Sequence, residues 1–252
     1  MASPVTHFEI STENGPELAK FYGELLGWHV ESFDIPGGGG MTYEMVDTHA
    51  GSGINGGIGT KMPGGGTYVT VYAEADDIQA TLDKAVKLGA TVALPVSPIG
   101  DMVTIAIFID PFGNTFGLTQ ANPQAAQMGG VSSGSNPAID WFEVLGPDGK
   151  AVRKFYGDLF GWEISESMGD GFDYGEVKAE GRGIGGGLGQ SPTGGPMTTI
   201  YARVDDLEKY LERAETLGAK KIMGPMNAGE TVSIAQFADP QGNVFGLYKS
   251  NS

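Results

Sequence analysis

Apolar and polar residues alternate from the start of the chain. Across residues 4–11, Phe8 and Ile10 fall on one face of an extended segment and His7 and Glu9 on the other, which predicts a half-buried strand. The period then changes: Leu18, Phe21, Tyr22 and Leu25 recur at i, i+3, i+4 and i+7, the stripe of an amphipathic helix, with Gly27 placed to close it in a left-handed cap. Three short strands are predicted near 28–34, 41–47 and 53–59, separated by glycine-rich turns. A further strand at 67–74 runs through Asp76 and Asp77, read as helix-capping acids, into a second helix. That helix carries Ile78, Leu82 and Ala85 on one face and ends at Gly89, and three more strands continue to about residue 119.

The same pattern is then written again. KFYGELLGW at 20–28 returns as KFYGDLFGW at 154–162, VYAEADDI at 71–78 as IYARVDDL at 200–207, and DPFGNTFGL at 110–118 as DPQGNVFGL at 239–247. The offset is 134 for the first pair and 129 for the others, so the first copy is five residues longer between these landmarks, where it carries GGGG at 37–40. The second copy's helix repeats the stripe with Val152, Phe155, Tyr156 and Leu159, closed by Gly161. Collinear repetition over nearly the whole chain is an internal duplication. Between the copies, residues 120–137 are small and polar without an aromatic, as a linker would be. The expected domains are 1–121 and 138–252, joined by 122–137.

Composition narrows what such a chain can do. With 252 residues, 40% hydrophobic and 10% aromatic, it has material for real cores. No apolar run approaches the roughly 20 residues of a membrane helix, and MASPVTHFEI has neither the basic nor the apolar region of a secretory signal. Cytoplasm is therefore the expected location. There is no cysteine, hence no disulfide, thiolate nucleophile or cysteine metal site. A net charge of −16 argues against nucleic acid as a partner.

Paired βαβββ units, the F-Y-x-x-x-L-G-W segment and the closing D-P-x-G-N-x-x-x-L phrase together resemble the vicinal oxygen chelate superfamily, which includes glyoxalase I, extradiol dioxygenases and the bleomycin and fosfomycin resistance proteins. The resemblance implies an α+β fold of four βαβββ modules, each pair forming an open cup-shaped sheet with its helices outside. In metal-dependent members a divalent ion sits in the cup, held by His on the first strand of each unit and by Glu near the units' ends.

Carried over position by position, that ligand set is largely missing. His7 falls at the first-strand position, but Thr70 stands where a second His is usual and Gly117 where the Glu is usual; the second copy has Trp141, Thr199 and Gly246. One imidazole cannot hold a catalytic ion that needs three or four protein ligands, so no metal site and no cofactor are expected. A weaker alternative uses His7 and Glu9 with Asn55 or Glu44 as a third group. His29 and His49 are expected to face solvent.

What remains on the faces opposite the helices is His7, Glu9, Thr70 and Tyr72 in the first copy and Trp141, Glu143, Thr199 and Tyr201 in the second. His7, Thr70, Tyr72, Trp141, Thr199 and Tyr201 are the expected ligand-binding residues, a set suited to stacking a flat molecule and fixing it with a few polar contacts. Glu9 and Glu143 are the candidate general bases. The facing of Tyr43 and Tyr174 is left open by the sequence. GINGGIG (53–59) and GIGGGLG (183–189) resemble phosphate loops only superficially, since no helix follows either. The expected function is metal-free binding of a small apolar or aromatic molecule, by a monomer holding two pseudo-equivalent repeats. The alternative is a glyoxalase-type lyase or isomerase acting on an α-oxo aldehyde, or a dioxygenase relative. A third reading has the cups filled by their own side chains.

Overall fold

A computed structural model describes residues 3–34, 42–61, 65–121, 132–165 and 173–251. The GGGG run and most of the expected linker lie outside these residues. The first half runs β1 (Val5–Thr12), α1 (Gly15–Leu26), β2 (His29–Asp34), β3 (Thr42–Asp47), β4 (Asn55–Thr60), β5 (Tyr68–Glu74), α2 (Ile78–Lys87), β6 (Thr91–Ile99), β7 (Val103–Ile109) and β8 (Thr115–Ala121). The second runs β9 (Ala138–Gly146), α3 (Gly149–Phe160), β10 (Tyr174–Val177), β11 (Gly185–Gln190), β12 (Met197–Arg203), α4 (Leu207–Thr216), β13 (Lys220–Asn227), β14 (Val232–Ala238) and β15 (Val244–Ser250). The first half's strands form one sheet in the order β2-β3-β4-β1-β5-β8-β7-β6, the second half's another in the order β10-β11-β9-β12-β15-β14-β13. This is the duplicated α+β arrangement that the repetition predicts.

Local chemistry sets the element ends. Asn14, Asp77, Asp148 and Asp206 each accept a backbone N–H from the first turn of the helix that follows. Gly27 and Gly161 close α1 and α3 at φ 78° and 71°, a conformation that costs glycine little. The second half departs from expectation in one place. Three strands are expected after α3, but among the described residues only β10, β11 and a single bridge between Ile164 and Val177 form. Residues 166–172 lie outside the described residues, and β10 offers only four residues to pair with.

The backbone packs into two compact units that cut across the repeat boundary. Unit 1 comprises Met1–His7, Thr70–Gly130 and Trp141–Thr198; unit 2 comprises Phe8–Val69, Val131–Asp140 and Thr199–Ser252. In unit 1 the apolar stripe of α3 meets the strands that end the first half. Phe155 lies 6.1 Å from Phe108, and Tyr156 5.1 Å from Phe116. In unit 2 α1 meets the strands that end the second half, with Phe21 6.1 Å from Phe237 and Tyr22 5.0 Å from Phe245.

Each unit centres on a buried aspartate from a D-P-x-G-N turn. Asp110 accepts from Phe112 N (2.9 Å), Asn114 N (2.8 Å), Asn114 Nδ2 (2.9 Å) and the Tyr156 hydroxyl (3.0 Å). Asp239 accepts from Gln241 N (2.9 Å), Asn243 N (3.0 Å), Asn243 Nδ2 (3.0 Å) and the Tyr22 hydroxyl (3.2 Å). Burial raises both carboxyl pKa values, and the four donors pull them partly back. The variable residue of the turn addresses the helix that docks there. Phe112 meets Phe155 edge to face at 6.3 Å in unit 1, whereas Gln241 clasps the backbone N–H and C=O of Asn14 at 3.0 and 2.9 Å in unit 2.

Removing one phenol donor leaves a buried carboxylate short of a partner. Tyr22→Phe and Tyr156→Phe are each expected to lower unfolding free energy by about 1–3 kcal/mol, with effects that add in the double variant because each acts in its own unit. Urea unfolding of the three variants measures both.

Candidate functional site

On the sheet faces away from the helices, tyrosines lie across glycines. An added Cβ at Gly117 would sit 2.2 Å from the Tyr72 ring, at Gly246 2.2 Å from Tyr201, at Gly57 2.2 Å from Tyr43, and at Gly187 2.1 Å from Tyr174 Cζ. Neighbouring strands are about 4.8 Å apart, so a ring that crosses one strand can touch the next only if the strand beneath carries no side chain. Tyr174, Tyr43 and Tyr201 each reach a polar group in this way. Tyr174 on β10 passes over Gly187 on β11 and donates to Glu143 Oε1 on β9 at 2.9 Å; Gly187 and Glu143 are in register. Tyr43 on β3 crosses Gly57 on β4 and hydrogen-bonds Glu9 on β1. Tyr201 on β12 crosses Gly246 on β15 and accepts from Gln236 Nε2 on β14 at 2.7 Å, with Gln236 in register with Gly246.

This explains the glycines of GINGGIG and GIGGGLG, which form β4 and β11. On the helix side Gly56 and Gly186 make the same room for Phe8 and Phe142. It also places Tyr43 and Tyr174, whose facing the sequence leaves open: both bond the candidate carboxylates. The period-2 pattern puts them on a definite face only once the register of their strands is known, and their partners lie two strands away.

In unit 1, His7 stands edge-on to Tyr72 with ring centroids 5.7 Å apart. Its surface is only partly covered, yet protein surrounds the ring closely enough that burial lowers its pKa to about 4. Thr70 is fully buried and donates to the Thr115 carbonyl at 2.8 Å. Trp141 lies opposite Gly185, and Glu143 holds Tyr174. In unit 2, Thr199 is likewise buried and donates to the Val244 carbonyl at 2.8 Å. Burial and then the charge of Glu9 push the Tyr43 phenol well above its ordinary value, and the same two causes push Tyr68 up to about 12.

The residues at the family's metal positions do not make a ligand set for a divalent ion. Both threonine hydroxyls already serve strand carbonyls, and both glycines lack a donor and lie under a tyrosine ring. Of the alternative third ligands, Asn55 accepts from Thr48, and Glu44 is buried and accepts from Ser32 at 3.0 Å. Among the described residues, no three of His, Cys, Asp and Glu gather as a metal site. His29 and His49 lie 6.0 Å apart, and His49 sits 3.4 Å from Asp47. In unit 1 an open groove of about 450 Å³ is lined by residues between Pro98 and Thr104 and by Gln120 and Ala121.

Gly117→Ala and Gly246→Ala are expected to cost about 1–3 kcal/mol each, as overpacked sites do. Tyr72→Ala/Gly117→Ala should cost less than the sum of its singles, a coupling readable in a double-mutant cycle by urea unfolding. His7 gives a pH signature. The unfolded chain protonates it near the ordinary value of about 6.5 and the folded chain only near about 4. The unfolded state therefore holds more protons between these values, and stability rises with pH across that window. On acidification from pH 7 to 4 the wild type should lose more stability than His7→Gln, measured by thermal melts at each pH.

Known proteins share this plan. The family model described as Glyoxalase/Bleomycin resistance protein/Dioxygenase superfamily matches residues 138–247, and the Glyoxalase-like domain model matches 7–119. A protein of Mycobacterium tuberculosis (strain CDC 1551 / Oshkosh) named "Putative glyoxylase CFP32" is 29% identical over 96% of this chain and 92% of its own length. The anthracycline biosynthesis protein DnrV of Streptomyces peucetius is 30% identical over 43% of this chain and 46% of its own. Among solved structures, the Mn(II)-bound glyoxalase from Novosphingobium aromaticivorans aligns with TM-score 0.67 at 16% identity, over 98% of this chain and 82% of that one. The 2,3-dioxygenase LapB from Pseudomonas sp. KL28 aligns with TM-score 0.65 at 16% identity, over 99% and 93%. The chain belongs to the glyoxalase/bleomycin resistance protein/dioxygenase superfamily, the vicinal oxygen chelate proteins, in a form that carries the domain twice.

Proposed function

We propose that this chain binds a small apolar or aromatic molecule on the sheet faces that carry Tyr72 and Tyr201, without using a metal ion. The observation that carries this reading is the seating of each tyrosine on a glycine at the position where metal-dependent relatives place a carboxylate ligand. A phenol ring there has a flat apolar face and one hydroxyl, suited to stacking a planar molecule and orienting its polar edge; Tyr72 and Tyr201 are each 2% exposed, so the ligand must displace the groups that cover them. His7, Tyr72, Trp141 and Tyr201 supply the rings. Thr70 and Thr199 act from beneath, fixing the adjoining strands through their carbonyl hydrogen bonds. Glu9 and Glu143, each held by a phenol, fix the polar part of the ligand.

One observation favours a second reading, an isomerase or lyase of glyoxalase type. In the Glu9–Tyr43 and Glu143–Tyr174 pairs a proton acceptor and a proton donor already share a hydrogen bond. The carboxylate could remove a proton from the carbon next to a carbonyl, with the phenol donating to the oxygen on which charge collects. The glyoxalase names of relatives point the same way.

The first test is metal content after equilibration with nickel, zinc, manganese or ferrous iron and dialysis. Substoichiometric metal is expected in each case; one equivalent per chain that disappears in His7→Ala would overturn the metal-free reading. Tryptophan fluorescence then screens planar apolar molecules, with the response expected to vanish in Trp141→Phe for ligands held there. Glu9→Gln and Glu143→Gln separate the two readings, since an enzyme would keep affinity and lose turnover, whereas a binder has no turnover to lose.

A further inference from the structure

The chain has three histidines, and two of them meet. His29 opens β2 and His49 follows the end of β3; both lie in unit 2, with ring centroids 6.0 Å apart. Both rings are open to water, their side chains 64% and 45% exposed. Neither stands where the family resemblance implies a metal ligand.

The backbone around the pair is fixed. His29 is in register with Asp47 across the β2–β3 ladder. His49 is the one non-glycine residue among the described residues with a positive φ, 53°, a conformation that most side chains avoid. Hydrogen bonds hold it there. Asp47 Oδ1 accepts from His49 N at 3.0 Å and from Ser132 N at 3.3 Å, Asp47 Oδ2 accepts from the Ser132 hydroxyl, and Asn136 N donates to the His49 carbonyl at 3.3 Å. His49 Nδ1 is shut off from solvent and faces Asp47 Oδ2 at 3.4 Å, so Nε2 is the nitrogen that can meet a ligand. A carboxylate behind one ring nitrogen orients the imidazole and makes the other nitrogen the better electron donor.

The spacing of the rings fits one shared ion. An ion about 2.1 Å from a ring nitrogen lies about 3.2 Å from that ring's centroid. Two rings on one ion therefore have centroids from about 4.5 Å apart at a right angle to about 6.4 Å in line, and 6.0 Å falls inside that range. The surroundings favour a cation, with Asp47 behind His49 and Glu31 Oε1 3.9 Å from His29 Nε2.

We propose that His29 and His49 together form a reversible site for a divalent ion of the copper, nickel and zinc class, with water completing the coordination. Two protein ligands fall short of the three or four of a resident catalytic ion, so this ion exchanges with solution and is lost on dialysis. The site is independent of the metal-free reading of the tyrosine-bearing faces and is compatible with it.

Zinc chloride titrated into the full-length protein with ¹⁵N-labelled imidazoles, followed by NMR, tests the pairing. The His29 and His49 ring signals are expected to move together while His7 stays still. By calorimetry copper(II) should bind more tightly than zinc and magnesium not at all, the preference of imidazole over carboxylate sites. His29→Gln and His49→Asn should each weaken zinc binding by roughly tenfold or more; asparagine is chosen at 49 because it tolerates the left-handed backbone. If His49→Asn does not fold, His29→Gln, at the more exposed position, carries the comparison. Single variants that keep affinity within about twofold of wild type would show that the rings do not share an ion and would overturn the proposal. Zinc that moves neither ring, or magnesium that competes as well as copper, would overturn it too. A shift confined to His7 would overturn both this proposal and the metal-free reading.

Discussion

Each half of this protein depends on a carboxylate that burial alone would expel. Asp110 and Asp239 are tolerated because the turn that bears them supplies three donors and a tyrosine from a docking helix supplies the fourth. The helix is contributed by the other repeat: Tyr156 serves Asp110, and Tyr22 serves Asp239. The two repeated phrases, F-Y in the helix and D-P-x-G-N in the turn, are therefore the two halves of one polar lock, made twice with the partners exchanged. In this structure each aspartate is served by the tyrosine of the other repeat, which gives the duplication a physical meaning beyond doubled length.

A second constraint works on the opposite sheet faces. A ring can bridge three strands only if the middle strand is bare, and the glycines of β4, β8, β11 and β15 provide that bareness. The consequence for function is specific. At Gly117 and Gly246, where the family resemblance implies a carboxylate, a tyrosine ring occupies the space a side chain would need.

Much of this was legible in the residues. The helical stripes of α1, α2 and α3, the Asp77 cap of α2, the glycine caps Gly27 and Gly161 and the order of strands follow from local periodicity and backbone preference, which act over a few neighbours. The candidate faces were legible too, because residues two apart in a strand share a face: His7 with Glu9, Thr70 with Tyr72, Thr199 with Tyr201. Of the strand expected between α3 and β10, the described residues show one bridge, Ile164 to Val177, where the first half has a full ladder.

The sequence by itself determined that the chain is a duplicated βαβββ protein, because that is a statement about which residues stand at which spacing. Only the tertiary structure decided that Tyr22 belongs to Asp239 and Tyr156 to Asp110, that Tyr43 and Tyr174 hold the two glutamates, and that Gln236 closes on Tyr201. Those pairs are separated by 31 to 217 residues. Chain separation carries no information about which buried donor will meet which buried acceptor; the docking of helix on sheet and the register between strands supply it.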